Sequence, residues 1–205
     1  MARSFATAPG ELVFRNATAK EVGTITRRAI QEGWHVGPYD FPCGFSFDPK
    51  SILLGEINGE LATHVTVVEY PDHHYHAGGM IVTNKFRQQG YVVKTVRKCM
   101  EACNTNYTIG TDVNLDVKTE YEKLGGEVAW NTNLAMLDLE KIVSKTAELA
   151  AQPDISVNPI CSKNLDRLLQ YDQSVFGTPR QRFMTSWISV PGSVGWTAVD
   201  ETTDL

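Results

Sequence analysis

Two short stretches carry residue types able to do chemistry. In Met80-Ile81-Val82-Thr83-Asn84-Lys85-Phe86-Arg87-Gln88-Gln89-Gly90-Tyr91-Val92-Val93-Lys94 an apolar strand runs through a brief connection into a helix. Gly90 stands where successive backbone N–H groups can converge on an anion at the helix N-terminus, and a diphosphate fits such a turn. One glycine between a strand and a helix is also what an ordinary connection contains. Just upstream lies His73-His74-Tyr75-His76. An imidazole, with an ordinary pKa of ~6.5, can take a proton at neutral pH. His-x-His on a strand can equally offer two metal ligands on one face, although no carboxylate or cysteine stands beside these at a recognisable ligand spacing.

The elements that must hold these residues can be read from apolar periodicity and turn chemistry. Leu12 to Asn16 is predicted as a strand, followed by a helix from about Ala19, capped by Asn16 or Thr18, with Val22, Ile25, Ala29 and Ile30 on one face and an end near Gly33. Trp34 to Pro49 mixes aromatics with Gly and Pro and reads as a loop with at most a short helical turn; its aromatics suit either a substrate-facing wall or an anchor into its own core. Ser51 to Ile57 and Glu60 to Tyr70, joined by Asn58-Gly59, form a hairpin, because both turn residues accept positive φ. Pro71-Asp72 turns the chain into a third antiparallel strand, His74 to Val82. Gly78-Gly79 interrupts that strand and predicts a bulge that splays it from a later strand, Tyr107 to Val113. After Gly90 comes a helix to about Asn104, then the Tyr107 strand, a short helix within Val117 to Leu124, and a last strand from Glu127 to Leu139. The order predicts an α/β (α+β) fold, a mixed and mostly antiparallel sheet with helices on both faces.

Composition excludes several classes of function. The chain has 205 residues and a formal net charge of -5, with no gathered run of Lys or Arg, which argues against nucleic acid and membrane surfaces as partners. The first residues lack the apolar core of a signal peptide, and no stretch approaches the ~20 apolar residues of a membrane span, so a cytoplasmic location is expected. Cys43, Cys99, Cys103 and Cys161 show neither paired ligand spacing nor scaffold density and are expected as reduced thiols. Cys99 and Cys103 continue a helical stripe with Val92 and Val96, which points to packing.

Arg87-Gln88-Gln89-Gly90-Tyr91-Val92 resembles the Arg/Gln-x-x-Gly-x-Gly/Ala motif of the GNAT acyltransferase superfamily, in the position between fourth strand and third helix that the family uses. Val92 stands where the family has Gly or Ala. A second stretch, Val113-Asn114-Leu115-Asp116-Val117-Lys118-Thr119-Glu120-Tyr121-Glu122-Lys123-Leu124-Gly125-Gly126, is similar to the family's strand-Asn-helix segment ending in Tyr-Glu-Lys-Leu-Gly-Phe, with Gly126 in place of the final Phe. The resemblance covers about residues 10 to 140.

By that resemblance the chain binds acetyl-CoA or another acyl-CoA as co-substrate, uses no metal, and moves the acyl group to a primary amine by direct attack. The phosphates then lie on Arg87, Gln88, Gln89, Gly90, Tyr91 and Val92, with Asn114 also at the coenzyme, and Met80, Ile81 and Val82 pair with the pantetheine arm through the splayed strands. A backbone N–H near Met80 polarises the thioester carbonyl, and Tyr121 protonates the departing thiolate, for which a phenol of pKa ~10 is a reasonable donor. His76 falls where several family members keep a Glu base; His74 shares its side of the strand, His73 is a lesser helper, and Glu69 is the reserve base.

The tail adds a strand at Ile155 to Val157, a helix at Lys163 to Phe176 and a strand at Gly195 to Val199. Leu12, Val22, Ile25 and Ile52 lie at one constant offset from Ile155, Leu165, Leu168 and Gly195, in element order but hardly in residue identity. Residues 10–140 are thus expected as an acyltransferase domain, 141–154 as a linker and 155–205 as a partial second unit of the same kind or an extension. Its sheet edge would need covering by the first domain or by a second copy of the chain. The acceptor, small molecule or protein, has no readable code. Two other readings stay open: a degenerate acyl-CoA-binding sensor or interaction module, and a metal protein built on the three histidines.

Overall fold

The protein is described from a computed structural model, which covers residues 10–71, 74–103, 106–133, 135, 138–146 and 154–202. The chain divides into two compact units. The first runs to Asp112 and resumes from Cys161 to Gly195; the second comprises Val113–Ile160 and the chain from Trp196 onward.

In the first unit, β1 (Leu12–Asn16), β2 (Ile52–Ile57), β3 (Glu60–Tyr70), β4 (His74–Val82) and β5 (Thr108–Thr111) form one sheet in that order. The first four strands run antiparallel, and β5 joins β4 in parallel. The β2–β3 hairpin closes at Ile57↔Glu60 because Asn58 (φ 52°) and Gly59 (φ 76°) both adopt the left-handed backbone that matches the twist of the flanking strands.

Helix α1 (Ala19–Gln31) forms because Val22, Ile25, Thr26 and Ala29 recur at helical spacing and because its start is satisfied locally, the Thr18 N–H donating to Glu21 Oε2 at 2.8 Å. Its buried stripe meets Leu54 and Ile81 from the sheet, together with Phe41 from α2 (Asp40–Phe47). Burying a side chain such as Ile25 stabilises the fold by about 1.5–3 kcal/mol relative to exposure. A second cluster joins Ile57 and Ala62 to Tyr91 at the start of α3 (Tyr91–Ala102), and Thr95 of that helix donates to Thr63 Oγ1 at 3.1 Å. The sheet therefore carries helices on both faces, as its element order predicts.

Three elements differ from the sequence expectation. Within the expected loop 34–49, α2 forms a full eight-residue helix despite Pro and Gly. Pro42 falls in its first turn, where no intrahelical donor is lost, and burial of Phe41 and Cys43 supplies what propensity does not. The expected last strand, Glu127 to Leu139, is not a strand among its described residues; Val128 and Trp130 alternate as in a strand but are exposed, and Leu139 opens α5 (Leu139–Thr146). Pattern alone makes no strand without a partner to pair with. Finally, α7 (Gln181–Ile188) follows α6 (Leu165–Phe176) where no element was expected.

In the second unit, a 3₁₀ turn at Leu115–Val117 leads into α4 (Lys118–Lys123), and β6 (Ile155–Pro159) pairs antiparallel with β7 (Trp196–Asp200). The registers of the two N-terminal and two C-terminal strands correspond. Leu12 faces Ile57 and Asn16 faces Leu53; at the same offset, Ile155 faces Asp200 and Pro159 faces Trp196. In chain order α7 takes the place that α2 takes earlier. Among the described residues no helix is long and apolar enough to cross a membrane.

Candidate active site

β4 and β5 pair over a short ladder, from His74↔Thr108 to Ala77↔Thr111. β4 then continues from Gly78 to Val82 with no further partner on that side among the described residues. On its other side, Thr66 faces Gly78 and His64 faces Ile81, so β4 carries one residue more than β3 across this interval. That is a bulge, and it sits at Gly79, whose φ of +61° an L side chain adopts only with strain. Thr66 Oγ1 secures it by donating to Gly78 O at 2.9 Å. The double glycine thus does what its position predicts: it bends β4 where the ladder to β5 ends.

The β4–α3 connection adjoins this bent edge. Gln88 (φ 61°) and Gly90 (φ 76°) are both left-handed, and Gly90 is the N-cap of α3 without any side chain completing the cap. The first-turn amides of α3 therefore have no intrahelical acceptor and carry the positive end of the helix dipole. A Cβ built on Gly90 meets nothing within 4 Å, so space stands open above the turn. Gln89 pins the connection from behind, its Nε2 donating to Lys85 O at 2.9 Å. Arg87 Nε donates to Val82 O at 2.9 Å, and its Nη2 donates to Glu32 Oε1 at 2.6 Å.

Met80, Ile81, Val82, Arg87, Gln88, Gly90, Tyr91 and Val92 line a single cleft of about 310 Å³, joined by Glu32, Trp34 and Phe86. Eight sequence-predicted residues are thus brought together, and Gln89 does not line the cleft. The cleft offers apolar walls beside one bent strand edge and unmade amides beside an arginine, which is the donor set a diphosphate on an apolar arm requires. Val92 lines the cleft and is 41% exposed. Glu32 was not readable as a site residue; Trp34 was signalled only as part of an aromatic segment suited to a substrate-facing wall, and Phe86 only by its proximity to the motif.

His76 lies on the paired part of β4, between Val68 of β3 and Gly110 of β5, and does not line the cleft. Burial lowers its pKa; Asp112 opposes that, and His74 and Arg180 add to it, so the imidazole is neutral at pH 7 and able to accept a proton. His74 points into an aromatic group, 6.3 Å from the ring of Tyr70 and 5.9 Å from that of Phe176. Asp172 holds Arg180 in a two-point pair of 2.8 and 2.6 Å, and the guanidinium lies 3.9 Å above Phe176. Thr178 Oγ1 donates to Pro71 O at 2.6 Å, so the α6–α7 segment is tied to the β3–β4 turn. Glu69 faces Tyr75 across the β3–β4 ladder, exposed. His73 lies outside the described residues, and among the described residues no group of three or more His, Cys, Asp or Glu is arranged to hold a metal ion. Cys43, Cys99, Cys103 and Cys161 are free thiols, and burial pushes Cys99 up to about 12.

Asn114 and Tyr121 belong to the second unit. Asn114 precedes the 3₁₀ turn and accepts the Val117 N–H at 3.1 Å. Tyr121 is half-buried on α4, and its carbonyl closes the helix by accepting the Leu124 and Gly126 N–H groups, each at 3.0 Å. A Cβ on Gly126 would lie 3.0 Å from Tyr121 O, a close approach that suits glycine in the place of a phenylalanine.

No protein-family model matches the chain. It is 26% identical over 180 residues to the holothin acyltransferase of Pseudoalteromonas sp. (strain SANK 73390), covering 88% of this chain; the chain spans 58% of the length of that relative. In fold it is similar to a solved Pyrococcus horikoshii chain described as a candidate acetyltransferase, with a TM-score of 0.67 and 13% identity over 97% of this chain and 71% of that one. A bulged fourth strand parting from the fifth, a left-handed glycine opening the third helix and this likeness to a solved structure together give the chain a GNAT-like fold.

Proposed function

We propose that this chain is an N-acyltransferase that moves an acetyl or other acyl group from an acyl-CoA to a primary amine. The observation that carries the reading is the end of the β4–β5 ladder at Ala77↔Thr111 beside the Met80–Val92 cleft. The acyl-CoA supplies an activated thioester; the residues bind, orient and move protons. Backbone groups of Met80 and Val82 pair with the amides of the pantetheine arm as a strand edge would. The amides around Gly90 hold the diphosphate, with Arg87 beside them. The Met80 N–H polarises the thioester carbonyl, His76 or a water it holds takes the proton of the attacking amine, and Tyr121 gives a proton to the leaving sulfur. Neutral His76 suits that task, since a base must be unprotonated before it acts. The relative's name, holothin acyltransferase, supports acyl transfer. The acceptor is a small molecule or a protein, the enzyme works in the cytoplasm without metal, and a second copy of the chain covers the edge of the β6–β7 pair.

The test is release of free thiol from acetyl-CoA across a panel of primary amines, with thermal stabilisation by CoA measured in parallel. Acceptor-dependent thiol release supports the reading. Stabilisation by CoA with no thiol released across the panel supports instead a sensor module that binds acyl-CoA without turning it over.

A further inference from the structure

The end of α1 and the connection between β4 and α3 are stitched together by two polar contacts of equal spacing. Arg28 Nη2 donates to Thr83 Oγ1 at 2.6 Å; four residues further along both segments, Arg87 Nη2 donates to Glu32 Oε1 at 2.6 Å. Thr83 is itself fixed, since its hydroxyl donates to Leu61 O at 2.7 Å. Glu32 and Arg87 both line the cleft. The arginine nearest the anion-binding turn is therefore already paired with a carboxylate of the protein, and that carboxylate shares the space a ligand's negative charge would enter.

We propose that Glu32 is a positioning residue that stands in for the diphosphate: it holds Arg87 in place when no anion is bound and gives up the guanidinium edge when one arrives. The proposal rests on the acyl-CoA reading of the cleft. Arg87 can make the exchange without leaving its post, because Nε stays on Val82 O while the Nη edge changes partner. A diphosphate brings more charge than one carboxylate and meets the dipole of α3 as well, so it wins the competition, yet every binding event must first break an ion pair. Both partners reach solvent, with side chains 44% and 30% exposed, which keeps the penalty modest. Freeing Glu32 also unties the last turn of α1 from the phosphate turn. Trp34, whose N–H donates to Ala29 O at 3.1 Å, hangs from that same turn and lines the same cleft, while Arg28 keeps α1 attached through Thr83. Glu32 accordingly lowers coenzyme affinity and couples phosphate binding to the position of Trp34.

The experiment is calorimetric titration of the full chain and of its Glu32→Gln variant with CoA, inorganic pyrophosphate and pantetheine. The expected result is about fivefold tighter binding of CoA and pyrophosphate by the variant, the size an exposed ion pair allows, with pantetheine unchanged. The gain should vanish in Glu32→Gln/Arg87→Ala, and Glu32→Ser should change affinity in the same direction as Glu32→Gln. A carboxylate whose only role was to aim Arg87 would give the opposite sign. Equal or weaker CoA binding by both Glu32 variants, with wild type binding CoA, overturns this proposal and leaves the acyl-CoA reading intact. A gain that extends to pantetheine also overturns it. Failure of wild type to bind CoA at all overturns both.

Discussion

Ala77 of β4 and Thr111 of β5 form the last pair of the one parallel ladder in the sheet, and Gly79, at a φ of +61°, bends β4 immediately beyond them. The two facts are linked: a strand that bends and twists at a bulge cannot stay in register with a straight neighbour, so the edge from Gly78 to Val82 is left to another partner. That edge leads, through a 3₁₀ turn at Asn84–Phe86, to Gln88 and Gly90. Strand edge and left-handed turn border one cleft, so a ligand with an amide-bearing arm and a diphosphate, as proposed above, would span both.

Gly79→Ala should destabilise the fold by about 1–2 kcal/mol, because alanine resists a left-handed φ, and its Cβ would lie 3.1 Å from the Phe41 ring and 3.3 Å from Thr66 Oγ1. Gly78→Ala is the control, its Cβ meeting nothing nearer than 3.7 Å. Urea unfolding of the two variants measures the difference, and thiol release should fall in the first far more than in the second.

Tyr121→Phe should lower turnover at least tenfold while leaving the Kd for CoA within about twofold, as expected for a group used only as the leaving sulfur departs. Equal losses in turnover and affinity would reject the assignment of Tyr121 as acid.

For His76 the direction of the shift sets the pH profile. Its pKa is lowered by burial, so the proton-accepting form persists below the ordinary imidazole value of ~6.5. Turnover should hold as pH falls through 6.5 and decline only in more acid solution. His76→Gln should reduce turnover at neutral pH and abolish that acid limb. An unchanged limb in the variant would pass the role of base to another group.

His64 is fully buried beside Phe41 with neither imidazole nitrogen paired among the described residues, and burial, with the charge of Arg28 adding, lowers its pKa to about 3. Here the unfolded chain binds the proton more readily than the folded one, so stability is lost as pH falls below ~6.5, and the loss grows until about 3. The total is on the order of 5 kcal/mol by the linkage relation. Urea midpoints measured across that range should slope for wild type and flatten for His64→Leu. At pH 7 that variant should be near neutral in stability, because it removes a polar ring that has no partner to lose.

Much of this architecture was legible in the sequence because the determining residues act locally. Asn58-Gly59 makes a hairpin turn by its own φ preferences, Gly78-Gly79 admits a bulge within β4 because Gly79 takes a left-handed φ, and Val22, Ile25 and Ala29 declare a helical face. The cleft was legible around Gly90 for the same reason, as a left-handed residue opening a helix. What could not be read depends on distant partners. α2 contains Pro42 and Gly44 and folds because Phe41 and Cys43 are buried against other elements. The pairing of Glu32 with Arg87, 55 residues apart, leaves no periodic trace. Val128 and Trp130 show the opposite failure, strand-like alternation that no neighbour takes up. α7 was readable in principle, since Phe183, Met184, Trp187 and Ile188 recur at helical spacing after Pro179. The strand registers Leu12↔Ile57 and Ile155↔Asp200 lie at one offset, a correspondence of geometry that residue identity hardly shows.

Arg180→Ala should loosen the α6–α7 segment. It leaves the carboxylate of Asp172, only 11% exposed, without its two-point partner and removes the cation above Phe176, a loss of about 1–3 kcal/mol after allowing for partial solvent screening. Hydrogen exchange should quicken in 165–188 and leave β2 and β3 unchanged; uniform quickening throughout would show a global and not a local effect.

The most direct measurement is a crystal structure of the chain grown with acetyl-CoA. The thioester arm should run along β4 from Gly78 to Val82 with its amides bonded to Met80 and Val82, and its diphosphate should lie on the N–H groups around Gly90. Coenzyme bound elsewhere on the molecule, or β4 and β5 closed into one ladder past Ala77 and Thr111 with the turn shut by Val92, would contradict it.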